Sequence, residues 1–215
     1  MATSTQRHVV ERLLDQAGAT YAEEAGIRMR DKPMPLFQLL MLCMLASKPI
    51  DAGTATRAAR EMFRAGLRTP RNVCDGERSV FIDAFGRAGY ARYDESSATR
   101  AVEIAAAVLD DYNGDLRRLA IAGGRDIEKT RQLLQEFKGI GGTGSDIFLR
   151  EVQDTWTWVR PYLDERATGA AAELGLPTDA AALADLAPRR AANLAAALVR
   201  VSLDDELRDR VRADT

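Results

Sequence analysis

The 215-residue sequence predicts an all-α fold, and three features of the chain support that prediction. Apolar residues recur at three- and four-residue intervals, which is the repeat of one helix face. No stretch alternates apolar and polar residues strictly enough to indicate a strand. Turn residues such as Asn113-Gly114 and Gly123-Gly124 stand between the periodic segments, where one helix is expected to end and the next to begin.

Ten segments carry the helical pattern. Pro33 and Pro35 precede the second of them and Pro49 follows it, because proline is tolerated in a first helical turn but not in a helix interior. Thr69-Pro70 indicates the start of a short turn. The predicted helices cover residues 4–24, 35–47, 52–65, 77–88, 94–112, 125–137, 145–153, 164–174, 178–186 and 189–202.

Composition places the chain among globular proteins large enough for one large or two small domains. Hydrophobic residues make up 46% and charged residues 29%. No apolar run reaches the ~18 residues that a membrane helix needs, since the longest, from Leu36 to Ala46, contains Gln38. The amino terminus has no apolar segment after its basic residue, so we expect no secretory signal and a cytoplasmic location. We also expect no membrane partner and a monomer.

Cysteine and histidine are too scarce for common metal sites. Cys43 and Cys74 cannot form a Cys₄ zinc or iron–sulfur site, and neither suggests a disulfide framework. The only histidine is His8, which gives no strong metal or catalytic-triad signal. We therefore expect no iron–sulfur cluster and no required cofactor.

The net charge of −2 argues weakly against nucleic acid, but its distribution is uneven. Six basic residues against two acidic ones between Lys48 and Arg71 leave a local excess of four positive charges. The spacing favours the solvated face of an amphipathic helix slightly over a strip that faces DNA phosphates. The residues that share this face are Arg57, Arg60, Arg64 and Arg68.

The most informative stretch is LLQEFKGIGGTGSDIFLREV, residues 133–152. Apolar stripes stand on both sides of a glycine-dense turn, which predicts a helix, a hairpin and a second helix. A helix that opens after such a turn leaves its first amide hydrogens pointing outward, and this makes an anion site suited to DNA phosphates. A plain turn between two helices is the alternative. The residues expected to contact DNA here are Lys138, Gly139, Ile140, Gly141, Gly142, Thr143 and Gly144.

GIGGTGSDIFL followed by YLDERATGAAAELGLP resembles the helix-hairpin-helix DNA glycosylase superfamily, the group that includes endonuclease III. PLFQLLMLCMLASKPID resembles the first barrel helix of that family, and FGRAGYARYDESSATRAVEIA resembles the later loop and helix that lead to the hairpin. The similarity covers about residues 34–176. The hairpin also occurs in non-catalytic DNA binders, whereas the hairpin with an Asp about twenty residues later is more specific.

The resemblance implies a two-domain all-α fold with a DNA groove between the domains. One domain would be a six-helix barrel over residues 32–154, with its helix-hairpin-helix unit at about 129–153. Residues 1–31 and 155–215 would form the other. Family members bind double-stranded DNA that contains a damaged base, flip the nucleotide out of the stack and hydrolyse its N-glycosidic bond.

Asp164 falls on the family's catalytic carboxylate, which stabilises the positive charge that develops on the sugar and orients water. The alternative is a simple helix N-cap, because Asp before Glu165-Arg166-Ala167 is typical of a helix start. Thr143 stands where bifunctional members carry a lysine, and a hydroxyl cannot form a Schiff base. The resemblance therefore implies a monofunctional enzyme without lyase activity.

Further family positions are assigned by the same register. Lys48 would fill the gap left by the flipped nucleotide, although a phosphate contact or a plain surface lysine fits equally. Tyr90 would wedge between bases and Tyr93 would stack in the lesion pocket, with core packing as the alternative for both. Trp156 and Trp158 precede Asp164 in the sequence, and they are expected to be packing residues first and a wall of the lesion pocket second. The carbonyls of Gly139 and Gly141 would hold a monovalent cation.

Three functions follow from the sequence. The first is a monofunctional DNA glycosylase of base excision repair. The second is a non-catalytic helix-hairpin-helix protein that recognises damaged or distorted DNA, with Asp164 serving only as a cap. The third is an unrelated helical interaction module, which leaves the glycine hairpin unexplained.

Overall fold

The computed structural model describes residues 3–213, and every regular element in that range is helical. The prediction of an all-α fold is therefore confirmed. A short 3-10 turn at Ala91–Tyr93 precedes the seventh helix. The helices are α1 Ser4–Ala17, α2 Tyr21–Glu24, α3 Pro33–Ala46, α4 Ala52–Arg64, α5 Pro70–Cys74, α6 Arg78–Arg87, α7 Asp94–Tyr112, α8 Arg117–Ala122, α9 Ile127–Glu136, α10 Gly142–Val152, α11 Glu165–Glu173, α12 Ala180–Leu186, α13 Ala191–Val201 and α14 Asp205–Ala213.

Side-chain caps fix where several helices begin. Asp51 accepts the amide of Thr54 at 2.8 Å and thereby starts α4. Asp126 starts α9 by accepting the amide of Lys129 at 2.9 Å. Such caps satisfy amide hydrogens that have no partner within the helix, so a short polar residue before an apolar period marks a helix start.

Helix boundaries differ from the prediction at the amino terminus. The expected helix over 4–24 is two helices, because α1 ends before Gly18 and α2 begins at Tyr21. Asn193 Nδ2 donates to the carbonyl of Gly18 at 2.7 Å and Arg200 to that of Ala19 at 3.1 Å, so side chains from α13 take the place of a helical continuation. The helices α5, α8 and α14 were not predicted, because they are short or rich in charge.

The chain divides into two compact units. The central unit is Tyr21–Leu149, and the terminal unit combines Met1–Thr20 with Arg150–Thr215. These boundaries lie at 20/21 and 149/150, where the sequence predicts 31/32 and 154/155. The first boundary lies before α2 rather than after it, because α2 packs against α3 and α4 of the central unit.

The core of the central unit is built around α3. Every residue from Pro35 to Leu45 is buried, which fits a helix that is apolar on all sides. The helices α4 and α7 pack against α3, and α6 packs against both α4 and α7. None of the helices in the described part of the chain combines the length and apolar character needed to cross a membrane.

The core of the terminal unit is rich in alanine. Ala167, Ala170 and Ala171 are buried on α11, which packs against α13. Leu194 and Leu198 on α13 are also buried, and α13 contacts α1 and α14 as well. Small side chains on α11 let the two helix backbones approach closely, so the alanine-rich end of the sequence is an ordered core rather than a low-complexity tail.

Candidate functional site

The glycine-rich segment forms a tight turn between α9 and α10. Phe137 ends α9 in an extended conformation, and the amide of Ile140 donates to the Phe137 carbonyl at 2.9 Å. Gly139 has φ 95°, in the left-handed region that favours glycine. The side chain of Ile140 is buried, so its predicted contact with DNA is confined to the backbone.

Gly144 is the point where the hairpin packs closely against the residue that follows α3. A Cβ atom at Gly144 would lie 2.6 Å from Ser47 Oγ, whereas one at Gly141 would have no neighbour within 4 Å. Ser47 follows α3, and its hydroxyl donates to the carbonyl of Cys43 at 2.6 Å. Glycine is therefore required at 144 because α10 approaches the carboxyl end of α3.

The outer side of the hairpin is exposed. Helix geometry gives the amides of Gly142, Thr143 and Gly144 no acceptor within α10, whereas the amide of Ser145 donates to the Gly141 carbonyl at 3.0 Å. The positive end of the helix dipole adds to the field of these amides. This end of α10 can therefore receive an anion. The exposed residues of the turn are Lys138, Gly139, Gly141, Gly142 and Thr143.

Lys138 lies beside the hairpin in a small charged cluster. Its Nζ is 3.0 Å from Glu103 Oε1, and Arg100 Nη1 is 2.5 Å from Glu103 Oε2. The hydrogen bond from Lys138, with the charge of Arg100, lowers the pKa of Glu103. A Cβ atom at Gly139 would lie 2.8 Å from Arg100 Cδ, so this cluster touches the turn itself.

The carbonyl of Gly141, one of the two predicted cation ligands, accepts the amide of Ser145 at 3.0 Å. The Ser145 hydroxyl lies 2.9 Å from the carbonyl of Gly142 and 3.1 Å from that of Gly141, and it has one hydrogen to donate. The predicted roles of Gly139 and Gly141 as cation ligands stay predictions. In the described range, no group of three or more His, Cys, Asp or Glu side chains is placed to hold a metal ion.

Lys48 and Tyr93 come together although they are distant in sequence. Lys48 Nζ lies 6.0 Å from the centroid of the Tyr93 ring, and the guanidinium carbon of Arg92 lies 5.4 Å from it. Cations at such distances are attracted to the negative face of an aromatic ring. Both Lys48 and Tyr93 are half-buried, so part of each side chain faces solvent.

The carboxyl end of α3 connects this aromatic cluster with the hairpin. Ser47 touches the hairpin at Gly144, and the next residue, Lys48, contacts Tyr93. The hydroxyl of Tyr90 donates to the carbonyl of Leu45 at 3.0 Å and holds the turn before α7 in place. The predicted residues Lys48, Tyr93 and Gly144 therefore lie near one another at the carboxyl end of α3.

Tyr90 is a core residue, which corrects the prediction that it wedges between bases. Its side chain is 0% exposed, and its ring contacts Phe85 at a centroid distance of 5.4 Å. A wedge must project from the surface, and Tyr90 cannot do so without leaving this core and its hydrogen bond to Leu45. Burial raises the pKa of Tyr90 from 10 to about 12.

The raised pKa of Tyr90 makes stability fall at alkaline pH. Between about pH 9 and about pH 11 the phenol ionises in the unfolded chain but stays neutral in the folded one, so the unfolded state is favoured. We expect the wild type to lose about 1 kcal/mol more unfolding free energy over this interval than Tyr90→Phe. Urea unfolding at both pH values measures the difference, and equal losses in the two proteins would contradict the core assignment.

The arginine strip, defined as Arg57, Arg60, Arg64 and Arg68, is held largely by the protein itself. Arg60 donates to the carbonyl of Glu24, and Arg68 donates to the carbonyl of Phe63 at 2.7 Å. Arg64 pairs with Glu61 at 2.7 Å. These contacts fit the solvated-face alternative, and a phosphate-facing role of the strip stays a prediction.

In the terminal unit, Asp164 is the N-cap of α11. Its Oδ1 accepts the amide of Ala167 at 2.9 Å, and its Oδ2 accepts a hydrogen bond from Arg150 Nη1 at 2.8 Å. The side chain of Arg150 is 3% exposed and that of Asp164 is 14% exposed. The carboxylate is therefore held firmly in one orientation, and a small part of it stays open to solvent.

Trp158 is half-buried and stacks on Trp156, with ring centroids 5.4 Å apart and planes inclined by 22°. Trp156 itself is buried. The connector that carries these rings consists of turns. The packing role expected first for these residues fits this geometry, and a pocket role for Trp158 stays a prediction.

Two residues of the site were missed by the sequence reasoning, namely Arg150 and Gln153. Arg150 lies near the end of α10 and Gln153 directly follows it, in the mixed polar and apolar stretch LREVQD, and no spacing rule distinguishes them from surface polar residues. Their contacts arise only because the connector after α10 folds back on it, so no short-range pattern could have identified them.

Comparison of the chain with models of protein families, with curated proteins and with solved structures gave no match.

Proposed function

We propose that this protein is a monofunctional DNA glycosylase of base excision repair, which hydrolyses the N-glycosidic bond of a damaged base flipped out of double-stranded DNA. The observation that carries the proposal is the glycine hairpin with its exposed helix start at Gly142 and Thr143. The capping carboxylate of Asp164, about twenty residues later, supplies the chemical group that base excision needs. The sequence resemblance gives the same pairing of hairpin and carboxylate.

Phosphate contacts at the hairpin would anchor the DNA. Amide hydrogens at a helix start suit phosphate oxygens, and Lys138 adds a cationic side chain that is 70% exposed. Lys48 and the half-buried ring of Tyr93 lie on the same unit and offer a cation and a stacking surface for an extruded nucleotide. We propose these groups as the DNA-binding side of the enzyme.

The pair of Lys138 and Glu103 allows a charge test of this proposal. We expect Lys138→Ala to weaken duplex binding and to reduce the slope of log Kobs against log salt by about 1. Glu103→Gln, in contrast, is expected to strengthen binding, because it removes a negative charge beside the phosphates and leaves Lys138 free for them.

Fluorescence anisotropy with a labelled duplex at several salt concentrations measures both effects. Arg117→Ala is the matched control, since Arg117 is also an exposed cation paired with a carboxylate, Asp115, but lies outside the hairpin. Weaker binding by Glu103→Gln, or an unchanged salt slope for Lys138→Ala, would show that DNA does not lie on this side of the hairpin.

Asp164 would act when the bond between C1′ and the base nitrogen breaks. The bonding electrons leave with the base, which takes up a proton, and positive charge develops on the sugar. The carboxylate lowers the energy of that charge and orients the attacking water. The oxygen of this water bonds to C1′ and keeps one of its protons as a hydroxyl, while its other proton is released. The products are a free base and an abasic site.

The chemistry at position 143 limits the mechanism. A lyase needs an amine that forms an imine with the sugar, and Thr143 has none. Lys138 stands before the hairpin glycines, and its amine is 3.0 Å from Glu103. We expect no covalent adduct with abasic DNA after borohydride treatment, and a trapped adduct would show that another amine takes this role.

A second candidate is a helix-hairpin-helix protein that recognises damaged or distorted DNA without cutting a bond. The observation in its favour is that both oxygens of Asp164 already accept hydrogen bonds, from Ala167 and Arg150. Preferential binding of abasic-site DNA is expected of both candidates and would exclude an unrelated helical module. Release of a free base separates the enzyme from the non-catalytic binder.

The proposal also includes the finer features that the resemblance implies. These are a two-domain glycosylase-like arrangement with a DNA groove, and a monomer that acts in the cytoplasm on chromosomal DNA. No iron–sulfur cluster is part of the proposal, since the chain has two cysteines. A monovalent cation at the hairpin, held by the carbonyls of Gly139 and Gly141, would stabilise phosphate contacts.

A further inference from the structure

Gln153 makes an unusual set of contacts just after α10. Its side chain is 0% exposed, and its amide nitrogen donates to the carbonyls of Arg150 at 3.0 Å and Tyr162 at 2.9 Å. Its amide oxygen accepts the backbone N–H of Tyr162 at 2.9 Å. One buried side chain therefore binds both the N–H and the C=O of a residue two positions before Asp164.

Arg150 holds the same segment through Asp164. It lies near the end of α10, and Gln153 follows the last residue of that helix, three positions after Arg150. Arg150 Nη1 binds the carboxylate of Asp164 at 2.8 Å, while Gln153 binds the backbone of Tyr162. The amide of Ala167 then fixes the second carboxylate oxygen at 2.9 Å. The carboxylate of Asp164 is thus held directly by Arg150 and by the amide of Ala167. The backbone that precedes Asp164 is held by Gln153.

We propose that Arg150 and Gln153 are positioning residues for Asp164, and that they set the orientation of its carboxylate toward the reacting sugar. This inference rests on the proposed glycosylase function. Neither residue needs to touch the DNA. Each acts through Asp164, Arg150 by a direct contact and Gln153 by fixing the connector that ends in it.

Such support is needed because a catalytic carboxylate must be placed accurately relative to the reacting sugar. An N-cap alone leaves rotation about the side-chain bonds, and a displacement of about 1 Å at a reacting centre can lower a rate about 10²-fold. A second group that binds the remaining oxygen removes this freedom. A simple surface cap has no need of such support, and Asp179 caps α12 through the amide of Ala182 at 2.9 Å.

The experiment compares single-turnover base release by four variants, using saturating protein and the lesion duplex that the wild type processes fastest. Gln153→Leu and Arg150→Met are expected to lower the rate about 10- to 100-fold, with an unchanged Kd for abasic-site DNA. Arg150→Lys keeps the charge and is expected to lie between Arg150→Met and the wild type. Arg160→Met removes an ion pair with Asp154 on the same connector and is expected to match the wild type.

Circular dichroism and thermal unfolding of each variant exclude a folding defect as the cause. Where Gln153→Leu does not fold, Gln153→Asn keeps the amide and shortens the side chain by one methylene, and its rate is expected to fall in the same way. Wild-type rates in folded variants at both positions, together with an inactive Asp164→Asn, would overturn the positioning role and leave the proposed function intact. If the wild type releases no base at all, the proposed function and this inference fall together.

Discussion

Asp164→Asn is expected to lower base release by about 10²- to 10⁴-fold and to leave binding of abasic-site DNA unchanged. Asparagine is as good an N-cap as aspartate, so the amide of Ala167 keeps its acceptor and α11 keeps its start. The change removes the negative charge that the transition state would use. Single-turnover assays on a lesion duplex measure the rate, and anisotropy measures the binding.

The structure shows a complication in this substitution. Asp164 pairs with Arg150, whose side chain is 3% exposed. Removing one partner of a buried ion pair is destabilising, and we expect a loss of about 3 kcal/mol, at the lower end of the usual range because Asp164 keeps some exposure. An inactive Asp164→Asn protein therefore has to be shown to be folded before the result bears on catalysis.

Two controls separate catalysis from stability. The double variant Arg150→Met/Asp164→Asn removes both members of the pair and is expected to recover stability while remaining inactive. Asp179→Asn changes an equivalent cap in the same unit and is expected to leave base release unchanged. Base release by folded Asp164→Asn at the wild-type rate would end the catalytic assignment of Asp164.

Gly144→Ala is expected to disrupt the hairpin and to weaken DNA binding by more than about tenfold, with a stability loss of about 1–3 kcal/mol. The added Cβ would lie 2.6 Å from Ser47 Oγ and 3.3 Å from Ile140 Cγ2. Ser47 cannot turn away freely, because its hydroxyl is bonded to the carbonyl of Cys43 at 2.6 Å. The start of α10 must therefore move, and with it the amides proposed to bind phosphate.

Two variants test this explanation. Gly141→Ala adds the same methyl group where no atom lies within 4 Å, so its unfolding free energy is expected to match the wild type. Ser47→Ala removes the oxygen that the new Cβ meets, so Ser47→Ala/Gly144→Ala is expected to recover both stability and DNA affinity. A double variant as defective as Gly144→Ala would mean that glycine is needed at 144 for another reason.

Much of the fold could be predicted because the helical signals are local. The bounds of α7, Asp94–Tyr112, agree with the prediction at both ends. The start of α11 was predicted to within one residue, since an Asp before an apolar period marks a helix start. The break between α1 and α2 was missed, because side chains of α13, 175 and 181 residues away in sequence, bind the carbonyls of Gly18 and Ala19 after α1.

The candidate site could be predicted only in part, because it depends on contacts between distant residues. The hairpin was recognised from its own glycines. The position of Tyr90 in the core depends on Phe85 and on the carbonyl of Leu45, and these contacts form only when α3 and α6 come together. The support of Asp164 by Arg150 likewise needs the connector to fold back on α10.

The most direct measurement is an unbiased analysis by mass spectrometry of the bases that the wild-type protein releases from damaged duplex DNA. We expect at least one free damaged base above the level without protein, with abasic sites left in intact strands. Tight binding to abasic DNA with no released base from any lesion would contradict it, and would identify the protein as a binder of distorted DNA in which Asp164 serves as a structural cap.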